Sequence, residues 1–401
     1  MVTALKEYAG ENTYLSVAGI PELRQALCEF HTRYDRLEGL GVDQFIVGPG
    51  SKELIFLLMT VFNGDVLVVS PTWTTYRPQS LLAHHAPYVV EASMETEWRV
   101  TPEAVEKTIV DNKLTGNKLL IFCNPDNPTR DKLTLVYCYC SVVLKKHNVI
   151  VLSDEIYARI HFADQHDTLA RYYPEGTIIS SGLSKWASAG GWRVGYQIYP
   201  VQLESLRLTV KSAASHTYSC VAAPMQYAVA KGLRNVEECD SYMHHTTRIM
   251  KAAAEYSYSE LTAVGVRCTK STAGFYLFPD FGLVRESLLK RGIETVGQMC
   301  DVMLKEANVA LMGGGPAFLR PVTELTTRLC YVNFDGAVAL AESQRLGLET
   351  PLPTDFVRLH CTRLHDGIQV RIQQSSSYRT HVLQAVPNLE LPVCWLLFLF
   401  T

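Results

Sequence analysis

Short apolar runs recur along the first half of the chain with helical patterns between them. The runs are Phe45 to Gly48, Val66 to Ser70, Tyr88 to Glu91, Leu119 to Cys123, Val149 to Ser153, Thr177 to Ser181 and Val194 to Ile198. Most lack the polar alternation of a half-exposed strand, so they predict strands buried on both faces, as in a mostly parallel sheet covered by helices. Helix starts fall between them. Ser51 is a candidate cap for a helix through Phe62, Thr101 followed by Pro102 and Glu103 opens another, and Asp131 precedes a third. This alternation predicts an α/β, three-layer large domain over residues 39 to 230.

Beyond it the pattern changes. A long helical stretch from Asn235 to about Leu261 is followed by a strand at Gly274 to Phe278, a helix from about Leu283 to Glu306, strands at Val309 to Met312 and Arg328 to Val332, and a helix from Ala337. That order predicts a smaller α+β domain over 231 to 353. Leu23, Leu27, Phe30 and Tyr34 lie at helical spacing in Pro21 to Leu37, and residues 1 to 38 are assigned to the same domain. After Pro353 the periodicity fades, and 354 to 401 form a tail with no assigned structure.

Charge narrows the function. With 37 basic and 40 acidic residues and a net charge of -3, the chain has no electrostatic footprint for nucleic acid or an anionic membrane. The longest apolar run, Leu391 to Phe400, contains Pro392 and is about half of the ~20 residues a spanning helix needs. Eleven scattered cysteines form neither a disulfide framework nor a zinc pattern, and Lys6 and Glu7 interrupt any leader-like start. These features point to small-molecule chemistry in a reducing, cytoplasmic setting without a metal.

The candidate chemistry begins at Gly182-Leu-Ser-Lys185-Trp-Ala-Ser-Ala-Gly-Gly-Trp-Arg193-Val-Gly195. A lysine closes a buried strand and an arginine follows eight residues later. The lysine can react as an amine nucleophile and the arginine can hold a phosphate bidentately; taken alone, both are equally read as solvated cations. Asp154 ends the Val149 strand, facing the crevice where open α/β sheets bind ligands, although a lone aspartate there is more often a helix cap. Asn124-Pro-Asp-Asn127-Pro128-Thr129 follows another strand end and offers an amide donor. Gly48-Pro49-Gly50-Ser51-Lys52 leads into a helix N-terminus, a ready anion site. Trp73, in Pro71-Thr-Trp-Thr-Thr-Tyr76, is either a stacking surface for a planar ring or a core residue.

Taken together and in this order, these residues resemble the fold-type I, class I/II aminotransferases that use pyridoxal 5′-phosphate, from about Tyr14 to Gly347. The resemblance implies that Lys185 carries the cofactor covalently and acts as the proton-moving base. It implies that Asp154 pairs with the ring nitrogen, that Asn127 and Tyr157 hydrogen-bond the phenolic oxygen, and that Trp73 stacks on the ring. Ser51, Lys52 (through its backbone N–H), Ser184 and Arg193 would hold the phosphate. Tyr14 would reach the phosphate of a neighbouring subunit, which implies a homodimer with shared sites, and Arg328 would clamp the substrate α-carboxylate, with Asn127 beside it.

The implied reaction exchanges an amino group between an L-amino acid, of aspartate or aromatic type, and a 2-oxo acid. A β-lyase or cyclase on the same scaffold and a non-catalytic cofactor-binding dimer stay open. The chain departs from the family at Arg130, where glycine is usual, and at both ends. It begins after the arm and closing loop that relatives carry, as a truncated or misassembled chain would. The expectation is cofactor binding with slow transamination and a weak dimer.

Overall fold

The computed structural model describes residues 1–125, 134–162 and 166–369, so the expected helix start at Asp131 and the positions of Asn127 and Arg130 lie outside the described residues. The described chain divides into two compact units, one of residues 1–247 with 272–274, the other of 248–271 with the residues from 275 onward.

The first unit is built on a seven-stranded sheet: β1 (Phe45–Gly48), β2 (Asp65–Ser70), β3 (Tyr88–Glu91), β4 (Lys118–Cys123), β5 (Val149–Asp154), β6 (Thr177–Gly182) and β7 (Gly195–Ile198). Their spatial order is β1-β7-β6-β5-β4-β2-β3. Only β7 runs against its neighbours; the pairs from β3 through β6 are parallel. Every expected strand forms, because runs such as Leu119 to Cys123 are buried on both faces and leave no polar side to expose.

Helices α1 (Val2–Glu7), α2 (Pro21–Asp35), α3 (Ser51–Val61), α4 (Tyr76–Leu82), α5 (Pro102–Asp111), α6 (Thr134–Lys146), α7 (Glu204–Ser215) and α8 (Ala223–Arg234) surround the sheet. On one face Val105 and Ile109 of α5 and Leu144 of α6 pack with Leu67, Leu120, Phe122 and Val151. Each such buried side chain contributes roughly 1.5–3 kcal/mol. On the other face α3, with Leu54, Ile55, Leu57 and Leu58 buried, packs on β7 and α7. The Thr101 hydroxyl accepts from the Ala104 N–H at 3.2 Å, as its cap pattern predicts. At α3 the cap position belongs instead to Gly50, with φ 88°, and Ser51 is the first helical residue.

Residues 1–38 fall in this first unit rather than with the second domain to which their pattern had assigned them. The reason is burial. Leu23, Ala26, Leu27 and Phe30 of α2 are covered, α2 packs on α8, and the Ile20 N–H donates to Gln226 Oε1 at 2.8 Å. A buried polar cluster adds to the anchorage: His31 bonds Asp35 at 2.6 Å and Tyr196 of β7 at 2.9 Å, and Arg159 pairs with Asp35. Burial alone would raise the Asp35 carboxyl, but Arg159 and His31 outweigh it and hold that group well below the usual range.

α9 (Val236–Ala263) belongs to the first unit up to Thr247 and to the second from Arg248. The second unit holds a small antiparallel sheet in the order β8-β10-β9, from β8 (Tyr276–Leu277), β9 (Met312–Gly313) and β10 (Thr327–Cys330). The helix expected from Leu283 to Glu306 is two helices, α10 (Arg285–Lys290) and α11 (Val296–Ala307). Gly292, at φ 73°, breaks it, and Thr295 with Gln298 forms a capping box that restarts it. α12 (Gly336–Leu346) follows, capped by Asp335. In the tail, where periodicity is weak, α13 (Phe356–His360) and α14 (Thr362–Ile368) bury Phe356, Val357, Leu364 and Ile368. Among the described residues no helix is long and apolar enough to cross a membrane.

Candidate active site

Strand direction gathers the candidates of the first unit at one edge of its sheet. Asp154 ends β5, Lys185 lies three residues past β6, Trp73 three past β2, Ser51 three past β1, and Arg193 two before the reversed β7. The carboxyl edge of a parallel sheet is where loops can converge on a ligand without interrupting the core.

Gly50 and Gly195 shape one end of this edge. A Cβ on Gly50 would lie 2.2 Å from an Arg193 guanidinium nitrogen, and one on Gly195 would lie 2.2 Å from the Ser51 backbone nitrogen. Only glycines let the arginine and the start of α3 approach this closely. Arg193, itself left-handed at φ 52°, donates to the carbonyls of Gly190 at 2.8 Å and Pro49 at 3.2 Å. An exposed guanidinium is therefore fixed beside a helix N-terminus, and together they favour a dianion such as phosphate. Ser184 lies one residue before Lys185 and, like it, is half-buried. The Lys52 side chain does not turn to this end: its ammonium lies 5.1 Å from the centre of the Trp73 indole.

Asp154 lies deeper, fully buried. Its Oδ2 accepts from the Tyr76 hydroxyl at 2.7 Å. Its Oδ1 is buried without a hydrogen bond of normal geometry among the described residues. Burial pushes the carboxyl up to about 6, against the pull of the Tyr76 hydroxyl, the Ile156 N–H and the Lys185 ammonium, while Glu155 adds to the rise. A carboxylate held like this calls for a cationic donor on Oδ1, as a protonated ring nitrogen supplies. The residues therefore fit a ligand with a basic heteroaromatic nitrogen and a phosphate.

Tyr157 is buried, and its ring centre lies 5.8 Å from Lys185 Nζ. The half-buried Trp73 meets Tyr76 edge-on, with centroids 5.3 Å apart. Asn124, which opens the expected amide loop, donates from Nδ2 to the Asp167 carbonyl at 2.9 Å. Tyr14 is 91% exposed. Arg328 is in the second unit on β10, its guanidinium centred 4.4 Å from the Tyr276 ring and 5.3 Å from Phe318, and it donates to Met312 Sδ at 3.4 Å.

Sequence reasoning missed Tyr76. The available signal was its place three residues after Trp73, across the short turn that leads into α4, where the two rings meet edge-on. Tyr76→Phe is expected to raise the Asp154 midpoint by about one to two pH units, since a hydrogen bond to a charged group is worth roughly 1.5–3 kcal/mol. Carboxyl-carbon NMR of the protein without added ligand checks this; an unmoved midpoint would show that the bond does not favour the carboxylate.

The chain matches the model of the family described as aminotransferase class I and II over residues 3–335. It is similar to the aspartate/prephenate aminotransferase of Cereibacter sphaeroides, at 31% identity over 78% of this chain and 78% of that protein. To the aspartate aminotransferase of Thermotoga maritima it is 32% identical, again over 78% of each. Among solved structures, an aromatic aminotransferase from Pyrococcus horikoshii superposes with a TM-score of 0.72 at 25% identity, covering 90% of this chain and 92% of the other.

Proposed function

Since this chain belongs to the class I and II aminotransferases, a family of transferase enzymes, we propose that it is a pyridoxal 5′-phosphate-dependent aminotransferase acting on aspartate-type or aromatic L-amino acids and 2-oxo acids. The observation that carries the cofactor assignment is the buried Asp154 carboxyl with Oδ1 unpartnered among the described residues, at the same sheet edge as Lys185 and the α3 anion site. Pyridoxal phosphate, when bound, supplies an electron sink for cleavage at the substrate α-carbon.

The chain's own residues divide the remaining work. Asp154 holds a proton on the ring nitrogen. Arg193, the N–H groups at the start of α3, Ser51 and Ser184 bind the phosphate and fix the ring's orientation. Lys185 would hold the cofactor through its amine and, when not so engaged, would move a proton at the substrate α-carbon. By the same reading Tyr157 and Asn127 would hydrogen-bond the phenolic oxygen, Asn127 would also serve the substrate carboxylate, and Trp73 would cover a ring face. Lys52 contributes its backbone N–H to the phosphate while its side chain rests on Trp73.

The same reading makes the functional unit a homodimer in which Tyr14 reaches the partner's phosphate; a fully exposed tyrosine is free to do so. A cytoplasmic setting agrees with Cys28, Cys140, Cys239 and Cys361 being buried free thiols. Incubation of the purified protein with aspartate or tyrosine and 2-oxoglutarate tests the function: glutamate should form in step with the amino donor's loss. Phenol, pyruvate and ammonia formed from tyrosine without an acceptor would instead indicate β-lyase chemistry, and no product would favour the non-catalytic reading.

Arg328 binds the substrate α-carboxylate in this proposal. Its guanidinium is centred 4.4 Å from the Tyr276 ring and 5.3 Å from that of Phe318, and a planar fork suits two parallel hydrogen bonds to a carboxylate. Arg328→Lys keeps the charge but loses the fork. Apparent dissociation constants for amino acid and oxo acid should both rise by about tenfold or more, with the resting cofactor spectrum unchanged. Unchanged affinities would leave Arg328 as a structural cation of the small sheet.

A further inference from the structure

Three buried polar side chains lie side by side across the centre of the large sheet. Asp154 of β5 is in register with Ser180 of β6, and Ser180 with Gln197 of β7. Register partners on adjacent strands point to the same face. Ser180 and Gln197 are both 0% exposed. In each of the three one polar atom is buried without a hydrogen bond among the described residues: Asp154 Oδ1, Ser180 Oγ and Gln197 Nε2. Leaving such an atom unsatisfied costs roughly 1–3 kcal/mol, so three in a row call for an explanation.

The Tyr199 hydroxyl donates to Gln197 Oε1 at 2.6 Å, which turns the amide so that Nε2 is the donor left over. Ser180 Oγ can accept at one side and donate at the other, and a carboxylate has several lone-pair sites, enough for Tyr76, a ring nitrogen and one more donor. None of the three atoms bonds another directly. Adjacent strands are about 4.8 Å apart, and a water with two hydrogen bonds of about 2.8 Å each spans that gap.

We propose that Ser180 and Gln197 are positioning residues for Asp154, forming with Tyr199 a buried hydrogen-bond row, closed by water between the strands, that donates toward the carboxylate. The row lowers the cost of the buried Asp154 carboxylate and fixes its orientation. It deepens the proposed function and rests on that reading only for its catalytic consequence. The geometry and the titration of Asp154 stand without it. The other groups acting on Asp154 are Tyr76 from α4, Lys185 after β6, and its neighbour Glu155, so a test has to change the row and leave these in place.

The experiment is a titration of the Asp154 carboxyl by carbon NMR in the full-length protein, with and without pyridoxal phosphate. Ser180→Ala is expected to raise the midpoint by about one pH unit, and Ser180→Thr, which keeps the hydroxyl, to restore it. Gln197→Met is expected to move the midpoint in the same direction in the wild-type background and to have no further effect once Ser180 is alanine. Thermal unfolding of each variant separates loss of the row from loss of the fold: a midpoint that moves in a protein of unchanged melting temperature supports the row. A midpoint unmoved by Ser180→Ala, or additive effects of the two substitutions, overturns it. Should Ser180→Ala fail to fold, the comparison of Ser180→Thr with Ser180→Cys, a weaker donor, decides the same question, equal midpoints overturning the proposal. If Asp154→Asn leaves turnover intact while Ser180→Ala still shifts the titration, the proposed function fails and the row survives.

Discussion

Lys185→Ala is expected to reduce transamination by at least about ten-thousand-fold while the protein still binds pyridoxal phosphate. On the proposed function two roles are lost together: the covalent anchor, and the base that moves a proton at the substrate α-carbon, which by itself is worth about a hundred- to ten-thousand-fold. The anion site does not depend on the lysine. Arg193 is held by the carbonyls of Gly190 and Pro49, and Ser51 opens α3, so phosphate affinity should persist. Borohydride reduction followed by peptide mass analysis checks the assignment. The wild type should carry the cofactor on the peptide containing Ser184 and Lys185, and the variant should carry none. A reducible adduct on another lysine would remove Lys185 from its role.

The fold was legible in the sequence wherever burial is two-sided, and less so elsewhere. The strands at Val66 and Leu119 were readable because a central parallel strand exposes neither face. The site was readable where chemistry follows a strand end, which is why Lys185, Asp154, Ser51 and Arg193 gather at one edge. The placement of α2 was not legible, because an apolar face states that a helix packs and not on what. It is decided by contacts distant in sequence, such as Ile20 with Gln226 and His31 with Tyr196. Tyr76, Ser180 and Gln197 stayed hidden for a related reason: each is an ordinary residue of its element until strand register or a helical turn brings it beside Asp154. At Lys52 the expectation concerned the backbone N–H, and the side chain, which that expectation left open, lies on Trp73.

Asp154→Asn is expected to move stability and catalysis in opposite directions. Asparagine keeps the shape and can accept from Tyr76, but it carries no charge to hold a proton on the ring nitrogen, so turnover should fall by about a hundred- to a thousand-fold even with cofactor saturating. In the cofactor-free protein the sign reverses. Burial raises the Asp154 carboxyl from 3.8 to about 6, so the folded state favours the neutral acid. The stability this group contributes is fully present below its unfolded pKa near 3.8 and is lost as pH rises through about 6. Above that pH, folding carries the cost of a buried charge, about 3 kcal/mol. The amide never ionises. Cofactor-free Asp154→Asn should therefore be the more stable protein at pH 8, with an advantage that shrinks as pH falls through 6 and vanishes near 4, and denaturant unfolding across that range measures it. Pyridoxal phosphate should erase the difference, because a protonated ring nitrogen on Oδ1 stabilises the carboxylate that the empty fold resists. A stability gap independent of both pH and cofactor would mean that the substitution acts through packing, and that Asp154 is not the ring's counter-charge.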